Sequence, residues 1–131
     1  MPRSLRSLLT LSLIAASLSC SESLSPEDFY DVWGAEGVKL TLSNTLARFE
    51  TSCWAGDMAV PIQVDGDRFT AIGNINSQGG AGGMETRAVI LQGRVDGDEM
   101  RLTVETSFAL GPYTLVRGVQ PNIPGCPASP P

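Results

Sequence analysis

The sequence contains no histidine, only three cysteines and few aromatic residues. The absence of histidine removes the residue type that most often serves as a general base and as a zinc ligand. The acidic residues occur mainly at glycine-rich corners and on the outward phase of alternating segments, where carboxylates are more often solvated than catalytic. We therefore expect a protein that is not an enzyme and that holds no metal and no cofactor.

Basic residues are also scarce. Nine lysines and arginines stand against fourteen aspartates and glutamates, which gives a formal net charge of −5. Two of the nine, Arg3 and Arg6, lie in the N-terminal segment, and the remainder of the chain therefore carries −7. A nucleic-acid partner needs a basic face to meet its phosphates, so this balance predicts no nucleic-acid binding.

Long hydrophobic runs are absent except near the N-terminus. Arg3 and Arg6 precede an apolar run over 8–18, which is too short for a membrane-spanning helix of about 20 residues. A basic start, a short apolar run and small residues ahead of a cleavage site are typical of a secretory signal peptide. We assign residues 1–19 to this signal peptide and expect the protein to be exported.

The segment Ala16-Ser17-Leu18-Ser19-Cys20 resembles the lipobox of bacterial lipoproteins, although serine stands at position 17, where leucine is commonest. The resemblance implies that Cys20 becomes the lipid-modified first residue, that 20–28 is a tether, and that a membrane is the partner of this anchor. Because Ser21 is not aspartate, it further implies the outer membrane, with the protein facing the periplasm. Cleavage by the ordinary signal peptidase near Cys20 is the alternative.

Lipidation of Cys20 would leave two cysteines, Cys53 and Cys126. Exported proteins mature in an oxidising compartment, where paired thiols are the default. We therefore predict a Cys53–Cys126 disulfide. Residues 121–131 are rich in proline and are predicted to form an extended strap that Cys126 holds against the domain.

Between these ends, residues 29–120 alternate between apolar and polar side chains. Seven runs of period two begin near Val38, Ala47, Met58, Phe69, Val89, Met100 and Tyr113. Each run is bounded by Gly, Asp, Asn or Pro, as expected for antiparallel strands with one buried face. The fold class is therefore all-β, as a small antiparallel up-and-down barrel or strongly curled meander of about seven to eight strands. Ser25-Pro26-Glu27-Asp28 predicts a short helical turn ahead of them.

The tetrapeptide Val-Asp-Gly-Asp occurs at 64–67 and again at 95–98. A calcium loop needs further oxygen ligands at alternate positions, but the next alternate residues are Phe69 and Met100. Asp-Gly between alternating apolar runs is instead a strong hairpin signal. Both tetrapeptides are predicted to be turns.

Trp33 lies just before the first predicted strand, and Arg117 lies on the inward phase of the last. The pair resembles the calycin barrels, such as lipocalins, in which a tryptophan near the start packs under an arginine from the last strand. Asp31 stands where those barrels have glycine. The resemblance implies that Trp33 and Arg117 close the barrel or contact a ligand inside it.

A wider pattern resembles small bacterial lipoproteins of unassigned activity. It comprises the Trp33-Gly34 opening, Cys53, the Val-Asp-Gly-Asp hairpin and Thr-Leu-Val-Arg-Gly at 114–118. We expect a lipid-anchored, non-enzymatic structural or interaction module with an envelope protein as partner. The alternative is a carrier of a small apolar ligand, for which the small inward residues Ala47, Ala71, Gly73 and Gly93 would leave a cavity.

Overall fold

The computed structural model describes residues 24–78 and 84–127. The predicted signal peptide, Cys20 and the first part of the tether lie outside the described residues, as do the last four residues of the strap. Within the described ranges, no helix is long and apolar enough to cross a membrane.

A 3-10 helix and nine strands make up the described chain. In chain order they are the 3-10 helix Pro26–Phe29, β1 (Asp31–Ala35), β2 (Val38–Leu42), β3 (Ala47–Thr51), β4 (Trp54–Asp57), β5 (Gln63–Asp65), β6 (Arg68–Ser77), β7 (Thr86–Asp96), β8 (Glu99–Glu105) and β9 (Tyr113–Arg117).

All strand pairs are antiparallel, and together they close into a ring. The order is β4-β3-β2-β1-β9-β8-β7-β6-β5, and β4 also pairs with β6. The short strands β4 and β5 meet opposite ends of β6 and share one position in the ring, which therefore has eight strands. The predicted all-β class and closed up-and-down barrel are confirmed.

The predicted helical turn is also confirmed. Pro26 begins the 3-10 helix, and the Asp28 carboxylate accepts a hydrogen bond of 2.8 Å from the backbone N–H of Ser25. The turn places Phe29 in the core, where its ring meets that of Phe69 edge-on at 5.6 Å between centroids.

Two strands were missed by the periodicity, and one predicted strand is interrupted. Trp33 lies inside β1 rather than before the first strand, and β4 begins at Trp54, directly after Cys53. The predicted run from Met58 crosses the junction between β4 and β5, where Met58 forms only an isolated bridge to Gly73. The residues Pro61 and Ile62 of that run lie outside the strands.

Both Val-Asp-Gly-Asp segments are two-residue hairpin turns, as predicted. Val64 pairs with Phe69, and Val95 pairs with Met100. The glycine occupies the first central position of each turn, with φ of 61° at both Gly66 and Gly97. The central pair is therefore Gly-Asp rather than the expected Asp-Gly, and only the glycine needs positive φ, as in a type II′ turn.

The alternation of the sequence becomes the inside and outside of the barrel. In β8, for example, Met100, Leu102 and Val104 are buried, whereas the residues between them are exposed. The largest fully buried side chains come from most strands and from the 3-10 helix: Trp33, Phe29, Phe49, Phe69, Leu40, Leu42, Ile75, Leu91, Met100, Leu102, Leu115 and Val38. An eight-stranded barrel is just wide enough for side chains to fill.

Candidate functional site

One end of the barrel is closed by Trp33 and Phe29, both fully buried. Trp33 on β1 lies directly opposite Arg117 on β9, and the guanidinium carbon is 4.3 Å from the centroid of the indole ring. The indole N–H donates a hydrogen bond of 2.9 Å to the backbone oxygen of Phe29. The structure thus brings the two residues singled out in the sequence into contact.

The guanidinium of Arg117 is bound on several sides by the protein. It donates two hydrogen bonds of 3.1 Å to the backbone oxygen of Asp28 and one of 3.4 Å to that of Gly97. Its Nε lies 3.3 Å from the Asp98 carboxylate, and Nη1 lies 3.9 Å from that of Asp31. These contacts tie the 3-10 helix, β1 and the β7–β8 turn together. They favour closure of the barrel over contact with a ligand as the role of Arg117.

Replacing Arg117 with methionine is expected to lower the free energy of unfolding by about 2 kcal/mol. The substitution keeps the apolar stem over the indole but removes the cation–π contact and the charge-assisted hydrogen bonds. Chemical denaturation followed by tryptophan fluorescence measures the loss. Arg87→Met is the control, because within 24–78 and 84–127 the Arg87 guanidinium forms only an exposed pair with Glu85. Equal stability of the two variants would contradict the closure role.

The opposite end carries the disulfide and an aromatic pair. Cys53 and Cys126 are bonded, with their Cα atoms 4.6 Å apart, so the predicted pairing is confirmed. The bond indicates an oxidising, extracytoplasmic location. Trp54 is partly buried, and its ring lies 4.8 Å from that of Phe108. Nearby Tyr113 packs against the core, and burial raises the pKa of its phenol, which a hydrogen bond with the Gly111 backbone opposes.

The strap reaches Cys53 along the outside of β1. Added side-chain atoms at Gly34 would collide with the Val119 backbone oxygen and with Pro121, so this glycine allows the strap to lie directly on the strand. β1 and β2 lie between β9, from which the strap departs, and β3, which ends near Cys53. The strap therefore crosses three strand spacings.

Two of the small inward residues, Gly73 and Gly93, are covered by large side chains. A Cβ at Gly93 would lie 2.7 Å from Cδ1 of Phe69, because the phenyl ring covers the glycine across the strand pair. A Cβ at Gly73 would lie 2.8 Å from Sδ of Met58. The side chains of Phe69 and Met58 therefore fill the space that a side chain would take at Gly93 and Gly73.

A groove of about 530 Å³ lies on the outer surface of β5 to β8. Two parallel rows of outward side chains form its floor, each row running across four strands. The first row contains Asp65, Arg68, Arg94 and Arg101, and the second contains Gln63, Thr70, Gln92 and Thr103. We call this feature the arginine groove.

The arginine groove was not predicted from the sequence, although its register was encoded there. Each Val-Asp-Gly-Asp turn fixes the pairing of its flanking strands, so that Arg94 must lie opposite Arg101. The first turn does not align β6 with β7. Arg68, the third arginine, joins the row only because β6 pairs with β7 in the register that puts Arg68 opposite Arg94. Counting outward from the two turns would have found Asp65 opposite Arg68 and Arg94 opposite Arg101, but not the alignment of Arg68 with Arg94.

The described residues contain no group of three or more cysteine, aspartate or glutamate side chains arranged to hold a metal ion. The turn carboxylates instead meet arginines. Asp67 accepts a hydrogen bond of 3.0 Å from Nε of Arg94, and its other oxygen lies 3.9 Å from Nε of Arg68.

The fold and these contacts define a closed eight-stranded antiparallel barrel with a packed interior, a plugged end and a polar groove on its outer wall. Comparison of the chain with models of protein families, with curated proteins and with solved structures found no match.

Proposed function

We propose that the protein is a lipid-anchored, non-enzymatic interaction module of the cell envelope that works through the outer surface of its barrel. The observation that carries this proposal is the filled interior. Fully buried apolar side chains such as Trp33, Phe49 and Leu91 occupy the barrel, and large neighbours cover Gly73 and Gly93. A barrel packed in this way offers a rigid surface rather than a binding cavity.

Two further features support the location. The Cys53–Cys126 disulfide fits an exported protein. The first described residue, Leu24, donates its backbone N–H to the oxygen of Gly66 at 3.2 Å. Leu24 therefore lies at the end of the barrel that carries the β5–β6 turn. A tether from Cys20 to Leu24 spans at most about 14 Å, so the anchor would hold this end close to the membrane.

Replacing Cys20 with alanine is expected to release the protein from the membrane fraction into the soluble periplasm. The reason is that Cys20 carries the only lipid we propose, and the barrel presents mainly polar side chains outside. Immunoblotting of fractionated cells measures the distribution. Ser21→Asp is the matched variant: it keeps the lipid and, by the sorting rule of known lipoproteins, should move the protein to the inner membrane.

Native mass spectrometry of the purified protein tests the anchor and the interior together. We expect the mass of the chain without residues 1–19, increased by the lipid and by nothing else. In the fractionation experiment, a Cys20→Ala variant as strongly membrane-associated as the parent would refute the anchor. An additional small apolar molecule retained by the folded chain would instead support the carrier alternative.

A further inference from the structure

The strongest unexplained feature of the outer surface is the arginine groove. Arg68, Arg94 and Arg101 lie directly opposite one another on three adjacent strands. Directly opposed side chains have Cβ atoms about 5 Å apart, and like charges at this spacing destabilise a sheet. The described chain has only seven basic residues, so the alignment of three of them is not a consequence of a basic composition.

The charge of the row is only partly neutralised. Asp67 pairs with Arg94 and, more distantly, with Arg68. Arg101 is exposed and forms no ion pair or side-chain hydrogen bond among the described residues. Its guanidinium offers five N–H donors in a planar fork, the geometry that binds a carboxylate, sulfate or phosphate in bidentate fashion. An oxyanion can therefore bind the guanidinium of Arg101 and the side of the Arg94 guanidinium that does not face Asp67.

The second row determines what else a ligand must carry. Gln63, Thr70, Gln92 and Thr103 lie one pleat away on the same face, at about 7 Å from the arginines. Amide and hydroxyl side chains both donate and accept hydrogen bonds. They match the hydroxyl groups of a sugar better than they match an acyl chain or an apolar side chain.

The surroundings of the groove argue against a flat anionic membrane as its partner. The row of arginines ends at Asp65 on β5, and on the turn side it is bordered by the exposed, directly opposed Asp96 and Glu99. These carboxylates would repel a continuous sheet of lipid phosphates. A discrete anionic group that enters from the side of Gln92 and Thr103 avoids them.

We infer that the arginine groove binds an anionic saccharide, with its sulfate, phosphate or carboxylate group on Arg94 and Arg101 and its hydroxyl groups on the Gln–Thr row. This inference deepens the proposed interaction role, since it names the ligand class of the outer surface. No covalent chemistry is involved.

The probe is a dextran sulfate oligosaccharide, titrated calorimetrically into the full-length Cys20→Ala chain, with uncharged dextran of equal length as the ligand control. We expect binding of dextran sulfate that weakens with added salt, and no binding of dextran. Arg101→Gln should weaken the affinity about tenfold, because it removes a charge-assisted contact. Arg87→Gln makes the same change of charge on β7 outside the row and should leave the affinity unchanged.

The Gln–Thr row is tested separately with Gln92→Leu, which should weaken binding of dextran sulfate severalfold and leave binding of inorganic sulfate unaltered. Each variant must retain the melting temperature of the parent. If Arg87→Gln weakened the binding of dextran sulfate as much as Arg101→Gln, binding would be general charge attraction and the proposed site would be overturned. Any of three results would overturn the proposal that the ligand is a saccharide: no binding of dextran sulfate, no effect of Gln92→Leu on that binding, or binding only to phosphatidylglycerol vesicles. None of these outcomes depends on the anchor, which membrane fractionation tests independently.

Discussion

Replacing both Cys53 and Cys126 with serine is expected to lower the free energy of unfolding by about 4 kcal/mol. The disulfide joins residues 73 positions apart and so restricts most of the unfolded domain. The chain-entropy estimate for a loop of this length is about 4 kcal/mol. That loss is a large fraction of the stability of an ordinary domain, roughly 5–15 kcal/mol. Urea denaturation of the purified variant measures the change.

The dependence of stability on urea concentration shows whether the disulfide acts mainly on the unfolded or on the folded state. If the bond acts by restricting the unfolded chain, its removal should expose more surface on unfolding and should increase the dependence of stability on urea. Gly125→Ala is the control, because a Cβ at this strap position has no neighbour within 4 Å. A double serine variant as stable as Gly125→Ala would show that the bond contributes little. The double variant also avoids mispairing of one remaining thiol with Cys20.

The hairpins could be predicted because local chemistry determines them. Strict alternation on both sides of a glycine with positive φ fixes which residues pair, as at Val64–Phe69 and Val95–Met100. The pairing of Cys53 with Cys126 followed from the count of cysteines and the expected export. In both cases a few residues determine the outcome almost independently of the remainder of the chain.

The missed strands have weaker local signals, although a two-residue Glu36-Gly37 turn with φ of 75° at Gly37 joins β1 to β2. β1 has the sequence Asp-Val-Trp-Gly-Ala, and β4 has Trp-Ala-Gly-Asp; both are short and contain glycine, which weakens a strand in isolation. They form strands because their neighbours in the ring supply hydrogen-bond partners on both sides. Tertiary pairing here overrides intrinsic preference, and a single sequence does not reveal that pairing.

The candidate site was only half predictable for a related reason. Trp33 and Arg117 were recognised through a resemblance, and the structure places them in contact. The arginine groove depends on the register between β6 and β7, which are separated by eight residues in the sequence rather than by the two of the Val-Asp-Gly-Asp hairpins. A one-residue slip of that register would place Arg68 on the other face of the sheet, so the row becomes visible only once the strands are aligned.

Replacing Gly56 with alanine is expected to destabilise the protein by about 3 kcal/mol, because this glycine lies at the seam between β4 and β6 where the ring closes. A Cβ at position 56 would collide with the backbone oxygen of Asn74 and would lie 2.8 Å from Cα of Ile75. Both are backbone atoms, so no rotamer change relieves the overlap. The seam has few other pairs to compensate, since Trp54–Ser77 and Ala55–Asn76 are the residue pairs that join β4 to β6.

Thermal and urea denaturation should show the loss, and hydrogen exchange should show faster opening of the amides of Trp54 and its neighbours than in the Gly125→Ala control. An alanine variant with parental stability and exchange would mean that the barrel does not need the close approach of these strands at Gly56.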